Sequence, residues 1–279
     1  MKIKTSFRAA LLAALAPLAL QSAAPARAGI APDWNVSAAL SQISVYGDGL
    51  LQNYHESDAI NGASDHENGV LPGASIEIGS MVPPLRGFPN LYLGGGFQYN
   101  SGNVDYHGTN ITATGLLNFQ TRTRIENGTI EGGPAFLLSP RLIVIPLVYW
   151  GQRDWNRNIE PGIEGEDYRT NRIGAAVRAA FGLTPHLTAI GRVGVATTLS
   201  PQMTAQIEGY TFKFAQKSAV EAEAEAGFDY ALTPQWHLRA LMDIGGFTYG
   251  RSAVVDDAFY EPSSSTTDIS AKIGIGWSF

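Results

Sequence analysis

The stretch Thr267-Asp-Ile-Ser-Ala-Lys-Ile-Gly-Ile-Gly-Trp-Ser-Phe279 decides how this chain must be read. Thr267, Ile269, Ala271, Ile273, Ile275, Trp277 and Phe279 fall on one face of an extended strand. Asp268, Ser270, Lys272, Gly274, Gly276 and Ser278 fall on the other. The period is two throughout, with an apolar face opposing a small or charged one. A strand of a soluble sandwich usually runs for about five or six residues, whereas a tilted membrane strand needs about nine to eleven. The length and the clean sorting point to a wall with hydrocarbon on one side.

The same signature recurs upstream. Val220, Ala222, Ala224, Ala226, Phe228 and Tyr230 alternate with Glu221, Glu223, Glu225, Gly227 and Asp229. A helix would spread those glutamates around its surface, although Ala and Glu both favour one; a strand sorts them onto one side. Trp236, Leu238, Ala240, Met242 and Ile244 alternate with His237, Arg239, Leu241, Asp243 and Gly245. Val70, Ala74, Ile76 and Ile78 oppose Ser75, Glu77 and Gly79.

Punctuation repeats as well. Leu138-Ser139-Pro140-Arg141, Leu183-Thr184-Pro185-His186 and Leu232-Thr233-Pro234-Gln235 each separate two alternating runs. Proline presets the turn dihedral and cannot continue a central strand, so each marks a tight hairpin. Val82-Pro83-Pro84-Leu85-Arg86-Gly87-Phe88-Pro89 is a fourth connection. Between these lie longer polar stretches near 47–69, 101–118, 155–167, 200–210 and 251–265. The spacing predicts ten strands, near 34–46, 69–82, 90–100, 119–138, 141–154, 168–183, 186–199, 211–232, 236–250 and 266–279, with eight or twelve as alternatives. Pro134 and Pro146 fall inside two of them and predict bulges or displaced ends. The eighth strand is long enough to bend. The expected class is all-β, a closed antiparallel transmembrane barrel with short periplasmic turns and longer extracellular loops.

The N-terminus fits export. Lys2, Lys4 and Arg8 precede the apolar run Ala9 to Leu20, and Ala26-Arg27-Ala28 supplies small residues at a cleavage position. Residues 1–28 therefore read as a signal peptide, too short in its apolar core to be an anchor, and 29–279 as a single barrel domain. The remaining composition removes other classes. With a formal charge of −6 and 16% charged residues, the chain offers no basic surface for nucleic acid. It has no cysteine, hence no disulfide scaffold, thiolate metal site or thiol nucleophile.

Taken together, the export signal, the alternating strands, the proline turns and Ile273-Gly-Ile-Gly-Trp-Ser-Phe279 resemble the Gram-negative outer-membrane β-barrel proteins. The resemblance covers the whole exported chain and is architectural. It implies residence in the outer membrane, contact with membrane lipid and lipopolysaccharide, and recognition by the barrel-assembly machinery through a closing strand in which Trp277 and Phe279 are the signal residues. External ligands would meet the polar loops. Trp34, Tyr230, Trp236, Trp277 and Phe279 at one set of strand ends, and Tyr149, Trp150, Trp155, Tyr210, Phe212, Phe247 and Tyr249 toward the other, fit two interfacial girdles.

With the apolar face of each strand taken as lipid-facing, the lumen receives Glu77, Arg122, Arg124, Glu126, Arg172, Arg178, Arg192, Glu221, Glu223, Glu225, Asp229, Arg239, Asp243 and Lys272. Barrels of about eight strands are just filled by side chains, while sixteen or more leave a water channel. Ten strands therefore favour an ion-pair network that fills the interior over a selective pore, with Arg122, Arg124, Arg172 and Arg178 as expected partners of the glutamate ladder. The expected role is structural, surface-interacting or that of a small pore. His-Glu-x-x-His and Gly-x-Ser-x-Gly are absent from the sequence, and no metal or cofactor is expected. His186 and His237 adjoin the turns and read as solvated surface groups.

One catalytic alternative, a hydrolase at the outer rim, is set by Asp105-Tyr-His107. It resembles the Asp-x-His pair of the omptin proteases, which are also ten-stranded. Such chemistry needs a second carboxylate pair across the cleft. Asp256-Asp257 is the nearest candidate, and adjacent strand residues point to opposite faces. A lipid-modifying enzyme would need a polar pair near the outer leaflet, and none is assignable.

If the closing strand carries the assembly signal, deleting Phe279 lowers the heat-modifiable, folded fraction recovered in outer-membrane preparations. An unchanged folded yield would overturn that assignment.

Overall fold

The computed structural model describes residues 35–57, 64–83, 90–109, 115–158, 163–207, 209–255 and 260–279. The segment 1–28 expected to be a signal peptide, Asp256, Asp257 and most of the proline-rich connection after residue 83 lie outside the described residues. A short helix α1 (Val36–Leu40) precedes β1 (Gln42–Ser57), β2 (Ser64–Val82), β3 (Asn90–Thr109), β4 (Leu116–Ser139), β5 (Leu142–Asn158) and β6 (Ile163–Gly182). There follow β7 (Leu187–Ile207), β8 (Tyr210–Ala215), β9 (Val220–Ala231), β10 (Trp236–Tyr249) and β11 (Ser263–Ser278).

Every neighbouring pair is antiparallel, β6 pairs with β7, and β1 pairs with β11, so the sheet closes on itself. β8 and β9 both pair with β7 and keep one register, Gln202↔Ala215 and Thr197↔Val220. They form one interrupted stave, which makes ten staves from eleven segments. The interruption has a local cause in β7. Ser200 is left-handed (φ 46°) and Pro201 has no N–H to give. The gap is bridged instead by Ala219 N–H donating to Thr198 Oγ1 (2.7 Å) and Gln216 N–H donating to the Pro201 carbonyl (3.0 Å). The long eighth strand of the sequence is thus broken at 216–219.

The proline turns are held by the residue before the proline. Thr184 Oγ1 accepts from the N–H groups of His186 and Leu187, and Thr233 Oγ1 accepts from those of Gln235 and Trp236. Ser139 Oγ accepts from Arg141 N–H. A short hydroxyl side chain turned back on its own backbone stabilises each reversal.

Pro134 and Pro146 produce a different irregularity from the expected bulge. The β4–β5 register is the same at Gly132↔Val148 and at Phe136↔Val144, so the two prolines stand opposite each other. Neither can donate, and pairing lapses between those positions. The register shift comes later, between Leu137 and Ser139.

Two expectations about extent are corrected. The first stave does not begin at 34: Val36, Ala39 and Leu40 are buried at helical spacing, and α1 turns inward beneath the barrel. Most of the expected polar loops are also strand. β1 to β7 run far past the apolar belt, and β4 continues from Leu116 to Ser139. Beyond the belt the outward face turns polar, so hydropathic alternation fades while backbone pairing continues.

The belt itself is plain. Val45, Val70, Val148, Ile173, Val193, Val195, Val220, Ile244, Ile273 and Ile275 all point outward and are exposed. The interior holds two apolar groups. One joins Val36 and Leu40 of α1 to Tyr92, Ile143, Ile145, Leu147 and Tyr149. The other gathers Leu50, Tyr54, Leu71, Ile125, Trp155, Tyr168, Met203 and Phe214 at the opposite end. With the proline turns periplasmic, an epitope inserted between Gly209 and Tyr210 binds antibody on intact cells, and one between Thr184 and Pro185 binds only after permeabilisation. The reverse pattern would invert the orientation.

Candidate functional site in the barrel interior

Inward-facing side chains meet across the barrel in successive levels. Nearest the turns, His237 and Asp229 are wholly buried, with His237 Nδ1 at 2.7 Å from Asp229 Oδ1. Gln42 donates to Asp229 Oδ2 (2.7 Å), Arg239 Nε lies 3.5 Å from the same oxygen, and the Asn35 amide reaches the imidazole at 3.3 Å. The residue just before α1 is thereby tied to the wall.

The next level is a two-sided ion-pair network. Glu131 sits between Arg178 (3.0 Å) and Arg192 (3.1 Å). Arg178 also meets Glu225 (3.4 Å), Arg192 meets Glu223 (2.6 Å), and Arg172 pairs with Glu221. Opposite them, Glu77 takes Lys272 (3.3 Å), Arg239 (3.6 Å) and the Tyr46 hydroxyl (3.0 Å). Lys272 also reaches Asp243 at 3.0 Å. Arg192 lies over the Tyr149 ring at 4.6 Å and Arg178 over Tyr92 at 5.8 Å. The space left among these groups is about 200 Å³. Above it Arg153 pairs with Asp268, and Asn100 donates to Asp48.

The far mouth is built differently, as an aromatic layer carrying one cation among several acids. Tyr54, Trp155 and Tyr168 pack at centroid distances of 4.9 and 4.6 Å. The Arg157 guanidinium lies 5.0, 5.3 and 5.5 Å from the Tyr54, Trp155 and Tyr168 rings. It donates to Glu67 (2.7 Å) and Glu166, and lies 3.7 Å from Glu56. Tyr54 donates to Glu56 and Tyr168 to Glu261, both at 2.6 Å. Burial pushes the Glu56 carboxyl up to about 7; Arg157 opposes that rise and Asp65 adds to it. Burial, reinforced by Glu56 and Glu166, holds Glu261 well above the usual carboxylate range.

Of the charges expected in the lumen, Glu77, Arg172, Arg178, Arg192, Glu221, Glu223, Glu225, Asp229, Arg239, Asp243 and Lys272 face inward and touch one another as described. Arg122, Arg124 and Glu126 do not. Ile125 on the same strand is fully buried in the inner apolar group, so its neighbours point out. Arg122 is exposed, and Arg124 meets Glu126 at 3.4 Å on the outer surface. All three stand on the outward face in the mouth half of β4, where that face is polar and hydropathy does not mark the lumen side.

Asp105 and His107 also face outward. Asp105 accepts from Gln120 (3.1 Å) and His107 Nδ1 lies 2.7 Å from Asn118 Oδ1, both exposed contacts. Register sets His107 beside His66, and His66 beside His55. Among the described residues, no group of three His, Asp or Glu is placed to hold a metal ion. Trp277 is partly exposed on the outer face, and its ring lies 6.0 Å from Phe279.

Residue patterns missed the buried His237, taken as a surface group, and also Glu131, Arg153, Arg157, Glu56, Glu67, Glu166 and Glu261. Counting alternate residues along β4 from Ile125 would have placed Glu131 inside. The mouth acids had no such reference, because both faces of those segments are polar.

Comparison with known proteins places the architecture. No family model and no curated protein matches the chain. Among solved structures, the outer membrane protease OmpT from Escherichia coli is similar with a TM-score of 0.54 at 10% identity, over 85% of this chain and 95% of that one. The translocator domain of the autotransporter NalP from Neisseria meningitidis matches at 9% identity and a TM-score of 0.41, over 98% of both chains. Neisserial surface protein A matches at 12% identity and a TM-score of 0.30, over 85% of this chain and 97% of that one.

Removing one partner of a buried ion pair typically costs about 3–5 kcal/mol, and less where water enters. Glu131→Gln leaves Arg178 and Arg192 facing each other with one carboxylate fewer. A clear drop in the temperature of conversion from the folded to the heat-modified form is expected; an unchanged temperature would show that the network contributes little.

At this level of identity the likeness concerns fold alone: the chain has the closed ten-stranded architecture of the Gram-negative outer-membrane β-barrel proteins, with an apolar belt facing lipid.

Proposed function

We propose that this chain is an integral outer-membrane barrel with a closed lumen, serving as a structural or surface-interacting protein rather than as an open pore or a rim hydrolase. The supporting observation is the occupation of the interior. α1 lies across one end, Glu131 and its arginines cross the middle, and the Arg157 aromatic layer crosses the mouth. The central space of about 200 Å³ is lined by the paired charges of this network together with Leu40 of α1, Tyr92, Gln98 and Asn127. The outward placement of Asp105 and His107 counts against the hydrolase alternative. Interaction would then fall to the outer wall above the belt, where Arg122 and Arg124 offer guanidinium groups to the anionic head groups of lipopolysaccharide.

In planar bilayers the purified, folded protein gives no steady single-channel current, while fractionated cells yield it with the outer membrane. Large, stable currents would overturn the closed-lumen proposal without touching the membrane assignment.

A further inference from the structure

We propose that the side-chain cluster around Arg157 is a proton-controlled closure of the external mouth, packed in acid and loosened in alkali. It goes beyond the closed-lumen proposal, because it concerns when the mouth is packed rather than whether the barrel conducts.

The geometry gathers groups from six parts of the chain, β5 included, into one cluster around the Arg157 guanidinium. Tyr54 and Glu56 come from β1, Asp65 and Glu67 from β2, Tyr106 from β3, Arg157 from β5, and Glu166 and Tyr168 from β6. Glu261 precedes β11 and is anchored by its N–H donating to Ser252 Oγ (2.8 Å). Beside the cluster, Arg153 of β5 is already paired with Asp268 and the Tyr249 hydroxyl of β10 meets Thr170, while Thr121 and Thr123 of β4, Met203 and Ala205 of β7, Phe214 of β8, and Ser264 and Thr266 of β11 are uncharged. Arg157 is therefore the one cation described among five carboxyl groups. Within the central level, by contrast, each described acid has a basic partner.

A buried set with that imbalance is stable only if some carboxyls keep their protons. Two of them have the surroundings for it. Glu56 is buried and reaches Arg157 only at 3.7 Å, so burial outweighs the guanidinium and the Tyr54 hydroxyl that donates to it. Glu261 is buried beside Glu56 and Glu166, and their charge together with burial outweighs the hydrogen bond it accepts from Tyr168 at 2.6 Å. Glu67, wholly buried, has its Oε2 without a hydrogen-bond partner among the described residues, although its Oε1 takes Arg157. Adding further negative charge around that oxygen is unfavourable.

The sign follows. Packing raises Glu56 to about 7 and Glu261 well above its ordinary value, so the packed form binds more protons than the hydrated one. Packing is then favoured at low pH and weakens as pH rises through the packed-state value. Burial keeps the Tyr54 and Tyr168 phenols protonated across this window, so the carboxyls set the response.

The chain has no cysteine, so a single one can report the packing. Met203→Cys places a thiol in the apolar group under Arg157, and Thr211→Cys on the exposed β7–β8 hairpin measures the intrinsic pH dependence of labelling. The ratio of their maleimide labelling rates in the folded, detergent-purified protein is compared at about pH 5.5 and about pH 8.5. It is expected to rise at least about tenfold, the change in equilibrium that one unit of pKa displacement produces per proton. Glu56→Gln with Glu261→Gln, which mimics the protonated pair, keeps the ratio low at both values. A pH-independent ratio in the Met203→Cys protein overturns the proposal, as does an undiminished rise in the double variant. Should the double variant fail to fold, the Met203→Cys response decides alone: a rise with a midpoint near 7 supports it, and a flat ratio sinks it.

Discussion

Hydrocarbon offers no hydrogen bonds, and the rest of this structure follows from that constraint. A sheet that crosses it must pair every backbone N–H and C=O within itself, which an open edge cannot do. Here the constraint is met by the long antiparallel seam between β1 and β11, from Gln42↔Ser278 to Ser57↔Ser263. The interrupted stave of β8 and β9 keeps its register with β7 for the same reason. The lapse opposite Pro134 and Pro146 costs less than it would elsewhere, because neither proline has an N–H to leave unpaired.

Closure at ten staves fixes a narrow interior, and a narrow interior makes charge pairing obligatory. The outer face of β9 is taken by Val220, Phe228 and Tyr230, so Glu221, Glu223 and Glu225 have only the lumen to occupy. There they find Arg192 of β7, the stave beside β9, and Arg172 and Arg178 of β6, the next stave along, all on inward faces. Beyond the belt this rule relaxes. Arg122 and Arg124 can stand outside in water, and the interior of the mouth can carry an excess of acid, provided that protons and phenols make up the balance. The two ends of one lumen are thus governed by different electrostatics.

That difference also governs how much of the molecule could be read from residues alone. Sorting by hydropathy is informative only where one face meets lipid. It oriented Glu77, Asp229, Arg239, Asp243 and Lys272 correctly, because Ile76, Tyr230, Leu238, Met242 and Ile273 beside them had to face the other way. It misplaced Arg122, Arg124 and Glu126, whose segment of β4 is polar on its outward face. It also read α1 as strand, because five residues are too few to separate a helical period from an alternating one. His237 looked like a turn residue by position, but its alternation with Trp236 and Leu238 already pointed it inward, next to Asp229.

The sequence by itself determined the class of fold, the lipid-facing side of β2, β9, β10 and β11, the turns at Ser139, Thr184 and Thr233, and the inward glutamate ladder. Each of these depends on neighbours along the chain and on a solvent boundary that hydropathy records. Only the tertiary structure decided which arginine meets which glutamate, that Glu131 bridges two of them, and that Arg157 gathers acids from β1, β2 and β6. Those contacts depend on stagger between staves distant in sequence, and no local pattern encodes the relative height of two side chains across a barrel.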